Sequence, residues 1–391
     1  MSRSTSQQRR SWLVSAAWLA GSPCALPVAA AAASAAADDP VRRGRPMHFP
    51  RDHGAHLSAA IEWWSLTGSL AAAGDRQFGF QITFFRARTG LAAALDGRFA
   101  PRHLLFAHAA LTDLGAAKHL HQQRIARWSG DPAATVAHAA LHDTDLLVGG
   151  WALQRSDAGP DGKGPARSRY TMRFGGAGNG TGQDFELALQ LQAPQPPLLQ
   201  GDAGFSRKGP DEAQASHYIS EPQLQATGML QRVGMALEVT GRAWLDHEWS
   251  NSLLHPQAVG WDWVGMNLDD GSALTAFQLR RADGSTLWAG GSWRGADGRS
   301  SRFEPDALRF TPRRSWRSPG TGATYPLQWQ IDTPAGSFEV RALLDAQELD
   351  SRASTGTVYW EGLSELLDTR QQRVGIGYLE MTGYAGRLRL G

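Results

Sequence analysis

The feature that most constrains this chain is a two-residue alternation of apolar and polar side chains, repeated in short runs along its length. In Phe185–Gln192, Phe185 and the three leucines fall on one face, while Glu186, Ala188, Gln190 and Gln192 fall on the other. Residues 78–84, 235–243 and 336–343 alternate in the same way. Successive side chains of an extended strand point to opposite faces, so this period makes half-buried strands rather than helices. Turn dipeptides bound the runs: Gly74-Asp75, Asp96-Gly97, Asp161-Gly162, Asp270-Gly271, Asp283-Gly284 and Asp297-Gly298. Asp-Gly tolerates the positive φ of a tight hairpin, and connections this brief join antiparallel neighbours. The best candidate for a helix is one short stretch, residues 362–367. The pattern predicts an all-β, antiparallel protein.

The first 37 residues read as an export signal. Arg3, Arg9 and Arg10 precede an apolar core over residues 12–20, and Ala35-Ala36-Ala37 offers a small-residue cleavage site before Asp38. Arg9-Arg10-Ser11-Trp12-Leu13 also has the shape of a twin-arginine signal, the type that exports folded proteins. Cleavage would leave 391 − 37 = 354 residues, with 39 − 3 = 36 basic against 37 acidic side chains. The basic excess therefore belongs to the signal. Without a Lys/Arg cluster, no nucleic-acid partner is expected. Cys24, the single cysteine, leaves with the signal, which excludes disulfide scaffolds and cysteine-ligated metals from the remainder. No later run reaches the roughly 18 apolar residues of a membrane-spanning helix. A periplasmic or secreted location is expected, compatible with peripheral association with the membrane or with an envelope transport system.

The remainder halves into an N-terminal domain over residues 38–225 and a C-terminal domain over residues 226–391. Residues 201–215, rich in Gly, Pro and charge, are either a linker or a long loop in the first half. The halves echo each other. Trp63-Trp64, a turn and a strand ending at Arg86 correspond to Trp261-Asp262-Trp263, a turn and a strand ending at Arg280. Halves of this size suit one small closed β-barrel each.

Four clusters could carry chemistry. The first is His53-Gly54-Ala55-His56 with Glu62-Trp63-Trp64, where Glu62 and Trp64 share a strand face. Glu62 is either an acid or ligand anchor, or a buried carboxylate satisfied by Arg86. The second is the run from Trp244 to Ser250, with Asp246 and Glu248 on one face and His247 and Trp249 on the other. Two carboxyls so placed can act as acid and base, or His247 can be the active group with a carboxylate orienting it. The third is Trp261 and Trp263 on one face, which line a ligand slot or fill a core. The fourth joins Tyr359-Trp360-Glu361 to a stripe of Tyr378, Glu380, Thr382 and Tyr384. There is no G-x-S-x-G, H-E-x-x-H, P-loop or dinucleotide fingerprint. His pairs such as His119/His121 lack a carboxylate-rich partner set, so neither a metal nor another cofactor is expected.

At these clusters the sequence resembles the family of AttH and the carotenoid 1,2-hydratases. The resemblance rests on Phe49-Pro50-Arg51-Asp52-His53, Glu62-Trp63-Trp64, Gly79-Phe80-Gln81 with Phe84-Phe85-Arg86, and His108. It continues through Ser216, Tyr218 and Ser220, then Asp246-His247-Glu248-Trp249-Ser250, Gly260-Trp261-Asp262-Trp263, Tyr359-Trp360-Glu361-Gly362 and the segment from Gly377 to Tyr384. Ser65, His217 and Ile219 depart from the family's usual Tyr at those places.

The resemblance implies two consecutive lipocalin-like antiparallel β-barrel domains with a pocket at or near their interface. It implies a small hydrophobic ligand, isoprenoid or lipid-like. If the protein is an enzyme, it is a hydro-lyase of the hydratase type or a hydrolase. Asp246, His247 and Glu248 are then the candidate catalytic groups. His53, Glu62, Trp64, Arg86, His108, Tyr218 and Trp249 are candidates for the ligand site. So are Trp261, Trp263, Tyr359, Trp360, Tyr378, Glu380 and Tyr384. A competing reading is a carbohydrate-binding or glycoside-acting protein, which would also use Trp platforms and paired carboxylates.

Overall fold

The computed structural model describes residues 40–90, 100–157, 167–176, 184–232, 234–252 and 254–387. The expected signal, residues 1–37, lies outside them. Among the described residues there are two short 3₁₀ turns and no α-helix. The rest of the regular structure is antiparallel strand, as the two-residue alternation requires.

The first sheet opens with β1 (Ile61–Ala72), β2 (Arg76–Arg88), β3 (His103–Asp113) and β4 (Lys118–Trp128). Short strands follow: β5 (Ala137–Ala139), β6 (Asp145–Val148) and β7 (Trp151–Asp157). Next come β8 (Ser168–Gly176), β9 (Phe185–Gln192), β10 (Leu198–Leu199) and β11 (Phe205–Arg207). Two long strands complete it, β12 (Ala215–Arg232) and β13 (Met235–Ser250). The order is β4-β3-β2-β1-β13-β12-β9-β8-β7-β6-β5, with β10 and β11 on β12. The sheet nearly closes on itself. Gln122 of β4 donates to the Gly176 carbonyl at 3.1 Å, and the Arg124 guanidinium lies 4.7 Å from the Trp151 ring. Its interior is a continuous apolar core that includes Trp64, Phe80, Phe84, Trp151, Tyr170 and Leu245.

The second sheet begins with β14 (Gly260–Leu268), β15 (Ala273–Arg280), β16 (Thr286–Arg294), β17 (Ser300–Phe303) and β18 (Arg309–Pro312). A separate two-stranded ribbon is made by β19 (Ser315–Arg317) and β20 (Thr324–Pro326). The sheet resumes with β21 (Gln328–Thr333), β22 (Gly336–Ala342), β23 (Glu348–Ser351), β24 (Thr357–Leu367) and β25 (Arg373–Met381). Its order is β17-β16-β15-β14-β25-β24-β22-β21-β18, with β23 on β24. These are two lipocalin-like barrels in succession.

Position 225/226 falls inside β12, and the change of sheet comes after Ser250. Residues 201–215 are a loop of the first sheet, because β11 within them pairs with β12. Residues 362–367 are not helical: they are the second half of β24, paired with β25. Cross-strand pairing on both sides outweighs a spacing only six residues long.

The barrels dock through β1, β2, β12 and β13 against β14, β15, β24 and β25. At the β12 bulge, Gln223 donates from its backbone to Asn267 (2.8 Å) and from its side chain to the carbonyls of Leu268 (2.9 Å) and Ser272 (2.7 Å). Gly79 lets the strands approach closely, since a Cβ there would stand 2.7 Å from the Tyr378 hydroxyl and 2.9 Å from Leu363.

Candidate active site between the barrels

Alternation on β13 sends its side chains to two buried polar centres. Toward the first barrel, register places Trp64 beside His247 and Glu62 beside Trp249. The Glu62 carboxylate is completely buried. Its Oε1 accepts from His56 Nδ1 (2.8 Å) and His247 Nε2 (2.9 Å), and its Oε2 from Arg86 Nε (2.9 Å). Burial opposes the charge, but Arg86 and then His56 and His247 outweigh it and hold the carboxyl well below the ordinary range. The network continues through His56 Nε2 to Asp52 (3.1 Å) and on to Arg45 (2.9 Å). His56, Glu62 and His247 offer ligand atoms within 4.8 Å of one another. All three atoms are already hydrogen-bonded, and Arg86 sets a fixed positive charge on the same carboxylate. The set is therefore a compensated ion network rather than a good cation site.

The opposite face of β13 looks into a cleft of about 170 Å³ between the barrels, which Asp246 and Glu248 both line. Trp63, Phe85, Phe106 and His108 contribute from the first barrel. Trp261, Trp263, Phe277, Tyr359, Glu361 and Glu380 contribute from the second. The two β13 carboxyls stand in different surroundings. Glu248 Oε1 receives Lys208 Nζ at 2.9 Å and the Ser216 hydroxyl. The Lys208 ammonium lies over the Tyr218 and Phe277 rings, at 4.6 and 4.4 Å from their centroids. Asp246 Oδ1 instead accepts from neutral donors, Ser220 Oγ (2.5 Å) and Trp244 Nε1 (2.8 Å). Burial, only partly offset by those bonds, pushes its carboxyl up to about 7.

Across the cleft, Glu361 of β24 stands directly opposite Glu380 of β25. Burial lifts Glu380 to about 7, and burial together with Glu380 holds Glu361 well above the ordinary range. Tyr359 ties the barrels together, with its hydroxyl 3.0 Å from His108 Nδ1 and 3.2 Å from Gln81 Nε2. Burial lowers His108 to about 4, so its ring is neutral near pH 7.

This architecture has counterparts. The AttH-like family profile matches residues 40–384. The chain belongs to the AttH-like family. The crystal structure of an AttH-type protein, NE1406 of Nitrosomonas europaea, is 44% identical and superposes with a TM-score of 0.78, covering 88% of this chain and 99% of that one. Kievitone hydratase from Nectria haematococca shares the fold at 17% identity and a TM-score of 0.60, covering 88% of this chain and 94% of its own. No functionally curated protein matches the chain.

In this AttH-like protein the residues singled out in the sequence divide between the two centres. Asp246, Glu248, His108, Tyr218, Trp261, Trp263, Tyr359 and Glu380 line the cleft. Glu62, Trp64, Arg86, His247 and Trp249 do not, because they face the barrel side of β1, β2 and β13, and neither does His53, which lies in the 3₁₀ turn Arg51–His53 before β1. His53 is itself buried, with its backbone carbonyl accepting from Trp64 Nε1 (3.2 Å) and Thr144 Oγ1 (2.9 Å). Trp360 sits in the second core and donates to the Asp345 carbonyl at 2.7 Å. Tyr384 bonds Asp262 at 2.9 Å beneath the Arg280 guanidinium. Tyr378 is buried at the docking surface, beside Gly79.

Several cleft residues are not among the catalytic or ligand-site candidates the sequence offered, including Trp63, Phe85, Phe106, Phe277 and Lys208. Glu361, part of the fourth sequence cluster, lines the cleft on the same strand face as Tyr359. Lys208 is one of three lysines in a chain whose other basic side chains are arginines. That rarity is its only signal.

Proposed function

We propose that this protein binds a hydrophobic, isoprenoid- or lipid-like molecule in the interbarrel cleft and adds water across one of its carbon–carbon double bonds. The observation that carries the reading is Asp246, a buried carboxyl with neutral hydrogen-bond donors and a midpoint near 7, set among aromatic rings. Protonating an isolated alkene needs an acid that still holds its proton near neutral pH. Burial without a cation supplies that condition. The carbocation that follows is stabilised by the faces of Trp63, Trp261 and Trp263, with the Glu248–Lys208 ion pair beside them. Lys208 and Ser216 both engage Oε1 of Glu248. The fold shared with a hydratase supports the same reaction class. Export ahead of action is part of the proposal, and sequencing the N-terminus of protein recovered from its own cells tests it.

The first test is native mass spectrometry of protein from its own source, followed by solvent extraction of the bound molecule. An isoprenoid or lipid is expected. Incubating that molecule with the protein in ¹⁸O-water should give a product heavier by one labelled water, and Asp246→Asn should abolish it while retaining binding. A protein that takes up oligosaccharides and no apolar ligand would overturn the reading.

A further inference from the structure

The Glu361–Glu380 pair is the least conventional feature of the cleft. Like charges directly opposite each other on adjacent strands are destabilising, and cross-strand Cβ atoms lie only about 5 Å apart. Glu361 is 4% exposed. Among the described residues, no arginine, lysine or histidine lies within ion-pair distance of either carboxyl. Lys208, which lines the same cleft, is bound to Glu248.

The titratable and charged groups around the pair come from several elements. Strand β13 presents Asp246 and Glu248, and β12 presents Tyr218. Tyr359 and Tyr378 lie on the pair's own strands. His108 faces it from β3, and Asp262 lies on the far face of β14, paired with Arg280 at 2.8 Å. Burial keeps His108 neutral near pH 7, and the three tyrosines are pushed above their ordinary range. Gln81 bonds Glu361 and the Trp261 side chain bonds Glu380, but both are neutral, so no positive charge offsets two carboxylates here.

We infer that Glu361 and Glu380 share one proton at neutral pH and form, with Asp246 across the cleft, a single three-carboxyl proton-transfer unit. The inference rests on the hydration reading for its role, though not for its existence. In that role the steps balance. Asp246 gives its proton to one alkene carbon, whose new C–H bond uses the π electron pair. Water forms a C–O bond at the adjacent cationic carbon, and its surplus proton passes to the monoanionic Glu361–Glu380 pair. Asp246 is then a carboxylate and the pair holds two protons. Transfer of one proton back to Asp246 restores the start. The acid lies on the first barrel and the acceptor on the second, so the unit exists only when the barrels are docked.

A titration of the full-length, ligand-free protein tests this. Side-chain ¹³C-carboxyl NMR is recorded from pH 4 to 10 on the wild type and on Glu361→Gln, Glu380→Gln and Asp246→Asn. The expected wild type shows two pair steps separated by at least two pH units. Each single glutamine variant should lose the upper step, and Asp246→Asn should lower it. Circular dichroism and melting curves check that each variant is folded. Three carboxyls that titrate independently, each unmoved by removal of the others, would overturn the inference, as would a pair fully ionised at pH 7. A coupled unit in a protein that hydrates nothing would remove the hydration reading alone. Hydration by a protein with uncoupled carboxyls would remove this inference alone.

Discussion

Glu62 and Asp246 sit on neighbouring strands, both in the buried junction of this molecule, and they behave in opposite ways. Glu62 meets a guanidinium and two imidazoles, and it is held ionised. Asp246 meets a hydroxyl and an indole N–H, and it keeps its proton to about pH 7. Within the cleft the partners differ in the same way: Glu248 has Lys208 at 2.9 Å, whereas Asp246, two residues earlier, has only neutral donors. Burial alone therefore does not assign a carboxyl's task. At Glu62 a guanidinium and two imidazoles make the carboxyl part of the structure, and at Asp246 neutral donors alone leave an acid.

The strongest way to break this comparison is Asp246→Asn. An amide preserves shape and hydrogen bonding but holds no transferable proton, so hydration should fall by about 10²- to 10⁴-fold. Ligand mass uptake should survive. Equal loss of binding and turnover would assign Asp246 a structural role like that of Glu62.

Next is Arg86→Leu, which strips the cation from the other centre. Removing one partner of a buried pair costs about 3–5 kcal/mol. Urea unfolding should show a loss of that order, and a loss under about 1 kcal/mol would show that Arg86 does not compensate Glu62.

The pH dependence of stability should carry both signs. The folded-state value of Glu62 is depressed, so its contribution is complete above the unfolded value of about 4.3 and is lost as pH falls below it. For Asp246 the folded value is raised to about 7. Its protonated form is favoured by folding, so stability declines as pH rises from about 4 toward 7 and then levels. Asp246→Asn should flatten that decline, measured as melting temperature against pH. In the hydration assay the wild-type rate should fall about tenfold per unit above pH 7.

The smallest effect is expected at the docking surface. Gly79→Ala places a methyl group against Tyr378 and Leu363, and overpacking of this kind costs about 1–3 kcal/mol. Ligand affinity should drop along with it, because the cleft is formed by the docking. Unchanged affinity would mean the barrels can shift without altering the site.

Much of this was legible in the chain itself. The alternation along residues 244–250 correctly separated Asp246 and Glu248 from His247 and Trp249, since a two-residue period is a local property of extended backbone. The turn dipeptides and the lack of long helical spacing gave the all-β class for the same reason. Local spacing cannot say which of two faces meets a barrel core and which meets a second barrel. That choice was made by register: Trp64 falls beside His247, and Trp63 beside Glu248. Compensation is equally non-local. Arg86 reaches Glu62 from the next strand, His247 reaches it across 185 residues, and Lys208 comes to Glu248 from a loop between strands. The sequence by itself determined which side chains are partners in facing. Only the tertiary structure decided which buried carboxyls received a cation, because electrostatic energy depends on distance in space and on exclusion of water, and both are set when the sheets close and dock.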